Sequence, residues 1–116
     1  MGALGEAAAA EELARRGYRI LARNYRCRGG EADLVAQEGE CLVFVEVKTR
    51  TDLRHGLPRE AVRWAKQQRL GEAARHYCFA NAVEDHPLRF DVVEVVVLRG
   101  EVAAVEIIAD AFTPED

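Results

Sequence analysis

Residues 30–50, GEADLVAQEGECLVFVEVKTR, decide how this chain folds. Two apolar-rich runs, 31–37 and 41–49, flank Glu38-Gly39-Glu40, and a glycine between such runs is a hairpin signal. Side chains alternate across a strand. In the second run Leu42, Phe44, Glu46 and Lys48 therefore share one face, and Val43, Val45 and Val47 the other. In the first run Glu31, Asp33 and Val35 share a face. A tight turn around Glu38-Gly39 predicts Glu31 opposite Glu46 and Asp33 opposite Phe44. Asp33 and Glu46 are then diagonal neighbours, roughly 7–8 Å apart by backbone, and Glu31, Asp33, Glu46 and Lys48 converge on one patch.

Working outward from the hairpin, residues 4–16 read as an alanine-rich helix stopped by Gly17, and 18–25 as a strand broken at Arg28-Gly29-Gly30. From Arg59 to about Phe79 the spacing is helical, with Pro58 at the start, where its missing N–H costs least. Residues 89–98 and 102–108 form a last hairpin around Arg99-Gly100-Glu101. The order is α-β-β-β-α-β-β, an α/β fold with a mixed sheet flanked by two helices. The length of 116 residues fits a single domain spanning 1–116, and no repeat or linker interrupts it.

At 49% hydrophobic and 31% charged residues, the composition is that of a globular protein. No apolar run is long enough for a membrane helix. The start, MGALGEAAAA, lacks the basic segment of a secretory signal, so the expected location is the cytoplasm and no membrane partner is expected. Cys27, Cys41 and Cys78 have no metal or redox spacing. Cys41 and Cys78 read as buried thiols, with neither disulfide nor structural zinc expected. The net charge of −4 hides a split: residues 1–30 hold six Arg against three Glu, whereas 77–116 hold two Arg against nine acids. The first two-thirds of the chain can thus present a basic surface to an anionic partner.

Carboxylates gathered on a half-buried strand pair raise one another's pKa unless a cation sits among them. Oxygen-only donors suit Mg²⁺ or Mn²⁺. Lys48, two residues from Glu46, would project beside that ion and could orient a water or stabilise charge on a phosphate. The alternative for the bare E-x-K is a cross-strand ion pair on a solvated face.

Gly30-Glu31-Ala32-Asp33-Leu34-Val35 and Leu42 to Arg50 closely resemble the YraN family of small bacterial proteins. That family looks like archaeal Holliday-junction resolvases and the restriction-endonuclease-like superfamily with its D…E-x-K signature. The likeness extends over nearly the whole chain, through Gly5-Glu6, Gly17-Tyr18, Asn24, Glu60-Ala61-Val62 with Lys66, and Arg89-Phe90-Asp91-Val92-Val93. It implies a restriction-endonuclease-like sheet, with Asp33 and Glu46 as metal ligands and Lys48 as the catalytic lysine. Glu6 matches the helix-borne acid that completes such sites. Its alternative is a helix N-terminal acid favoured by the macrodipole.

Helical steps place Val62, Lys66, Leu70, Ala73 and Tyr77 on one stripe. Lys66 there either snorkels outward, which is the expectation, or reaches across the sheet towards a bound phosphate. Arg50, Arg54, Arg59 and Arg63, with Lys66, are candidates for a groove binding a nucleic-acid backbone, as is Arg69; a solvated face is the alternative. Trp64, the only tryptophan, could stack on a base or sit in a homodimer contact. His55, His76 and His86 show no ligand spacing. The expected function is binding structured or branched DNA, with Mg²⁺-dependent (or Mn²⁺-dependent) phosphodiester hydrolysis. Its alternatives are an inactive nucleic-acid-binding accessory protein and a protein-interaction module using the last hairpin as an open edge.

Overall fold

The computed structural model describes residues 2–51 and 63–114. Its elements follow the expected order: α1 (Gly2–Arg15), β1 (Arg19–Cys27), β2 (Gly30–Glu38), β3 (Cys41–Arg50), α2 (Trp64–Ala80), β4 (Leu88–Leu98) and β5 (Glu101–Ile108). The strands form one mixed sheet in the order β1-β2-β3-β4-β5, with β3 and β4 parallel and every other pair antiparallel. The long connection between β3 and β4 contains α2, as a parallel pair requires.

Alternation sorts the core into two layers. Leu13, Ala9 and Ala10 of α1 pack on Leu34, Val43, Val45, Val93 and Val95 on one face. Leu70, Ala73 and Ala74 of α2 pack on Val35, Phe44, Phe90 and Val92 on the other. A tail following β5 closes this second layer, with Phe112 stacked on Phe90 at 5.7 Å. All three cysteines are free and half-buried, so Cys41 and Cys78 are less enclosed than their apolar neighbours suggested.

Gly17 ends α1 as the sequence predicts. It stands at φ +94 and donates to Ala14 O, while Tyr18 N–H donates to Leu13 O at 3.0 Å, the bonding pattern of a glycine-terminated helix. The second helix departs from expectation. Arg63 is extended (φ −74, ψ 162) and serves as the N-cap, so α2 begins at Trp64 and not at Arg59. Apolar periodicity carries on past a boundary that only the backbone at Arg63 sets. Pro58 and residues 59–62 lie outside the described residues.

The β2–β3 register also differs. Glu38 closes the hairpin against Cys41, Val35 faces Phe44 and Leu34 faces Val45, two residues away from the expected pairing. The turn is Gly39-Glu40, with Gly39 at φ +59, the position where a two-residue turn needs a glycine. A shift of two preserves parity, so each side chain keeps its face. It brings Asp33 level with Glu46 and makes the two carboxylates direct neighbours.

Candidate active site

Two close approaches position the site. A Cβ on Gly30 would lie 2.6 Å from Ala73 N and 2.9 Å from Arg69 O, so only glycine lets the start of β2 press against the α2 backbone. That contact holds Glu31 beneath Lys66 and Arg69. At the other helix, a Cβ on Gly5 would lie 2.1 Å from Thr49 Oγ1, so glycine admits the first turn of α1 against the end of β3.

Asp33 stands where the β2–β3 ladder ends. Its Oδ2 accepts the Val47 N–H at 2.7 Å, so the carboxylate replaces the strand carbonyl that would otherwise bond there. Glu46, only 6% exposed, lies beside it. Burial, then the charge of Asp33, push the Glu46 carboxyl up to about 8, against the opposing pull of Lys66 and Lys48. A hydrogen bond between the two acids exists only while one of them is protonated. When both are ionised neither can donate, and among the described residues nothing hydrogen-bonds the buried Glu46 Oε1. Such an oxygen is costly and calls for a proton or a cation.

The cations lie across the cleft. Lys66 Nζ sits 2.9 Å from Glu31 Oε1 and 3.7 Å from Glu46 Oε2, and Arg69 Nη1 lies 3.3 Å from Glu31. Lys66 therefore reaches across the sheet to carboxylates, and the expectation that it snorkels outward is overturned. The Glu31 carboxylate is the reason, because it accepts a hydrogen bond from the ammonium at 2.9 Å. The hydrogen bond from Lys66 holds the Glu31 carboxyl below its ordinary range. Glu46, Lys48, Arg63, Ala65, Lys66 and Arg69 line a cleft of about 370 Å³.

Not every candidate residue joins this cleft. Glu6 is half-buried on α1, which packs on the sheet face opposite Glu46. Among the described residues no three His, Cys, Asp or Glu side chains gather to hold a metal ion. The protein would thus offer two carboxylates, Asp33 and Glu46, with water and phosphate completing the shell of a hard cation, a common arrangement for Mg²⁺. Arg50 is committed elsewhere: it pairs with Glu94 in a nearly enclosed ion pair, so it is not a free groove residue. Glu94 carries no local signal of this, because it faces Lys48 only through the parallel β3–β4 pairing, which neighbouring residues do not reveal. Arg54, Arg59 and His55 lie outside the described residues. Trp64 opens α2 at 63% exposure, outside the cleft lining.

A second polar cluster lies on the opposite face of the sheet, where Asp91 pairs with Val45. Asp91, with no exposed surface, accepts bonds from Tyr18 Oη (2.9 Å), Arg89 Nε (2.9 Å), Arg89 Nη2 (2.9 Å) and Asp110 N–H (2.9 Å). Arg89 also reaches Glu38 at 2.7 Å. Burial and the bond to Asp91 raise the Tyr18 hydroxyl far above its ordinary range.

The fold and the site define an α/β protein with a mixed five-stranded sheet between two helices, carrying a buried and a half-buried acid side by side and two lysines beside its parallel strands. Residues 5–95 match the model described as "Uncharacterised protein family UPF0102", the family of the YraN proteins. A UPF0102 protein of Symbiobacterium thermophilum is 58% identical over 95 residues, covering 82% of this chain and 80% of its own. Those of Moorella thermoacetica and Lachnoclostridium phytofermentans are 50% and 47% identical, each over 96% of this chain and 93% of its own. The chain belongs to the UPF0102 family. No helix among the described residues is long and apolar enough to cross a membrane.

Proposed function

We propose that this protein is a DNA-binding, divalent-metal-dependent nuclease acting on structured or branched DNA. What carries it is Glu46, buried beside the half-buried Asp33, with an oxygen that lacks a donor among the described residues, at the wall of a cleft lined by Lys48, Arg63, Lys66 and Arg69. A Mg²⁺ or Mn²⁺ ion held by these acids would polarise a phosphate oxygen and lower the pKa of a bound water. Asp33, fixed by the Val47 N–H, and Glu46, fixed by burial, would keep their oxygens aimed at one point. The Lys48 ammonium would face charge developing on the phosphate, and Arg63 and Arg69 would hold flanking phosphates. The branched substrate follows from the resemblance to junction resolvases.

One observation favours a second function, binding without cleavage: among the described residues no three acids gather as a metal site, where the resemblance implies three. Cleavage of branched, duplex and single-stranded DNA in Mg²⁺ and Mn²⁺ separates the two. Lys48→Ala should leave folding and DNA affinity intact and cut the rate by about 10²-fold or more, as expected for one charge partner of a transition state. A Lys48→Ala variant as fast as wild type refutes the catalytic assignment. DNA binding with no cleavage in either metal selects the non-catalytic function.

A further inference from the structure

Lys66 and Glu31 make an arrangement that an acid pair and a catalytic lysine do not require. The Lys66 ammonium stands between two carboxylates, bonded to Glu31 at 2.9 Å and 3.7 Å from Glu46 Oε2, and Glu31 has Arg69 as a second cation at 3.3 Å. Glu46 is the enclosed member and carries the donorless oxygen, while Glu31 is more open and doubly paired. A lysine on a flexible four-carbon stem is a movable point charge. In this geometry it neutralises part of the acid pair without filling it.

We propose that Lys66 is the built-in counter-ion of the Asp33–Glu46 pair, competing with a divalent cation for Glu46, and that Glu31 sets the strength of that competition by holding the ammonium back. The proposal rests on the metal-binding function above. Glu31 is then a positioning residue that acts through Lys66, not a metal ligand. Loading of the ion would leave the ammonium to Glu31 or to a phosphate in the cleft, so metal and DNA would bind cooperatively through one side chain.

Calorimetric titration of the full chain with Mn²⁺ tests this without any activity measurement. Lys66→Met keeps the apolar stem and removes the competing charge, and should tighten Mn²⁺ binding by about tenfold, the scale of a partly exposed charge interaction near 4 Å. Glu31→Gln frees the ammonium for Glu46 and should weaken Mn²⁺ binding several-fold. The double variant is decisive: if Glu31 acts through Lys66, adding Glu31→Gln to Lys66→Met should change affinity by less than about twofold. A Glu31→Gln loss of equal size in both backgrounds makes Glu31 a ligand and overturns the proposal. Lys66→Met binding no tighter than wild type overturns it also. Absence of Mn²⁺ binding by wild type and both single variants, with their melting transitions intact, removes the metal-dependent function itself.

Discussion

The polar clusters around Asp91 and around Glu46, on opposite faces of one sheet, are built on opposite terms. Around Asp91 the acid accepts four hydrogen bonds, and its guanidinium partner also satisfies Tyr18 and Glu38. Around Glu46 two carboxylates crowd together, and among the described residues one oxygen has no donor and the nearest ammonium stands at 3.7 Å. The first is closed: every charge has a fixed partner, and nothing remains to bind. The second is left open by the same fold that could have closed it. A satisfied buried network locks strands and tail in place, whereas an unsatisfied one is tolerated where a ligand completes it.

The sharpest way to break that comparison is at the closed cluster. Asp91→Ala leaves Arg89 without its main partner and should cost about 3–5 kcal/mol in urea unfolding, the scale for removing one member of a buried pair. A loss below about 1 kcal/mol would mean that this cluster does not hold the fold.

The open cluster should respond with the opposite sign. Glu46 holds its proton to about 8 in the folded chain against an ordinary 4.5. Between those values the native state binds more protons than the unfolded one, so its stability falls as pH rises through that window. With chelator present, Glu46→Gln should remove this slope and melt at least about 4 °C above wild type at pH 9, where roughly 1 kcal/mol moves a domain of this size by that much. The gap should close towards pH 4.5. A Glu46→Gln protein that melts lower at pH 9 would show the acid to be as well satisfied as Asp91.

The smallest effect distinguishes the cations. Arg89 is consumed by its cluster, while Arg63 and Arg69 line the cleft. Replacing both cleft arginines by Ala should flatten the log–log salt dependence of duplex DNA binding by about 0.9 for each phosphate they neutralise. Arg75→Ala, on the same helix but outside that cleft, should leave the slope unchanged. Equal slopes for all these variants would move the groove elsewhere.

Much of this was legible locally. Alternation along β2 and β3 assigned Glu31, Asp33, Glu46 and Lys48 to one face, and that assignment survived a two-residue register change because a shift of two keeps parity. Gly17 marked the end of α1 for the same kind of reason, since a positive φ is a property of one residue. The start of α2 was not legible, because a helical period runs through Arg63 while the backbone there is extended.

The sequence by itself determined the element order, the two faces of the sheet and the identity of the crowded acids, all of which depend on neighbours a few positions apart. Only the tertiary structure decided which charges meet. Arg50 is taken by Glu94 across a parallel pairing, Arg89 by Asp91 and Glu38, and Lys66 by Glu31 and Glu46 across the space between helix and sheet. A long cation can choose among several acids, and the choice is made by burial and by the close approach at Gly30, which residue spacing alone does not encode.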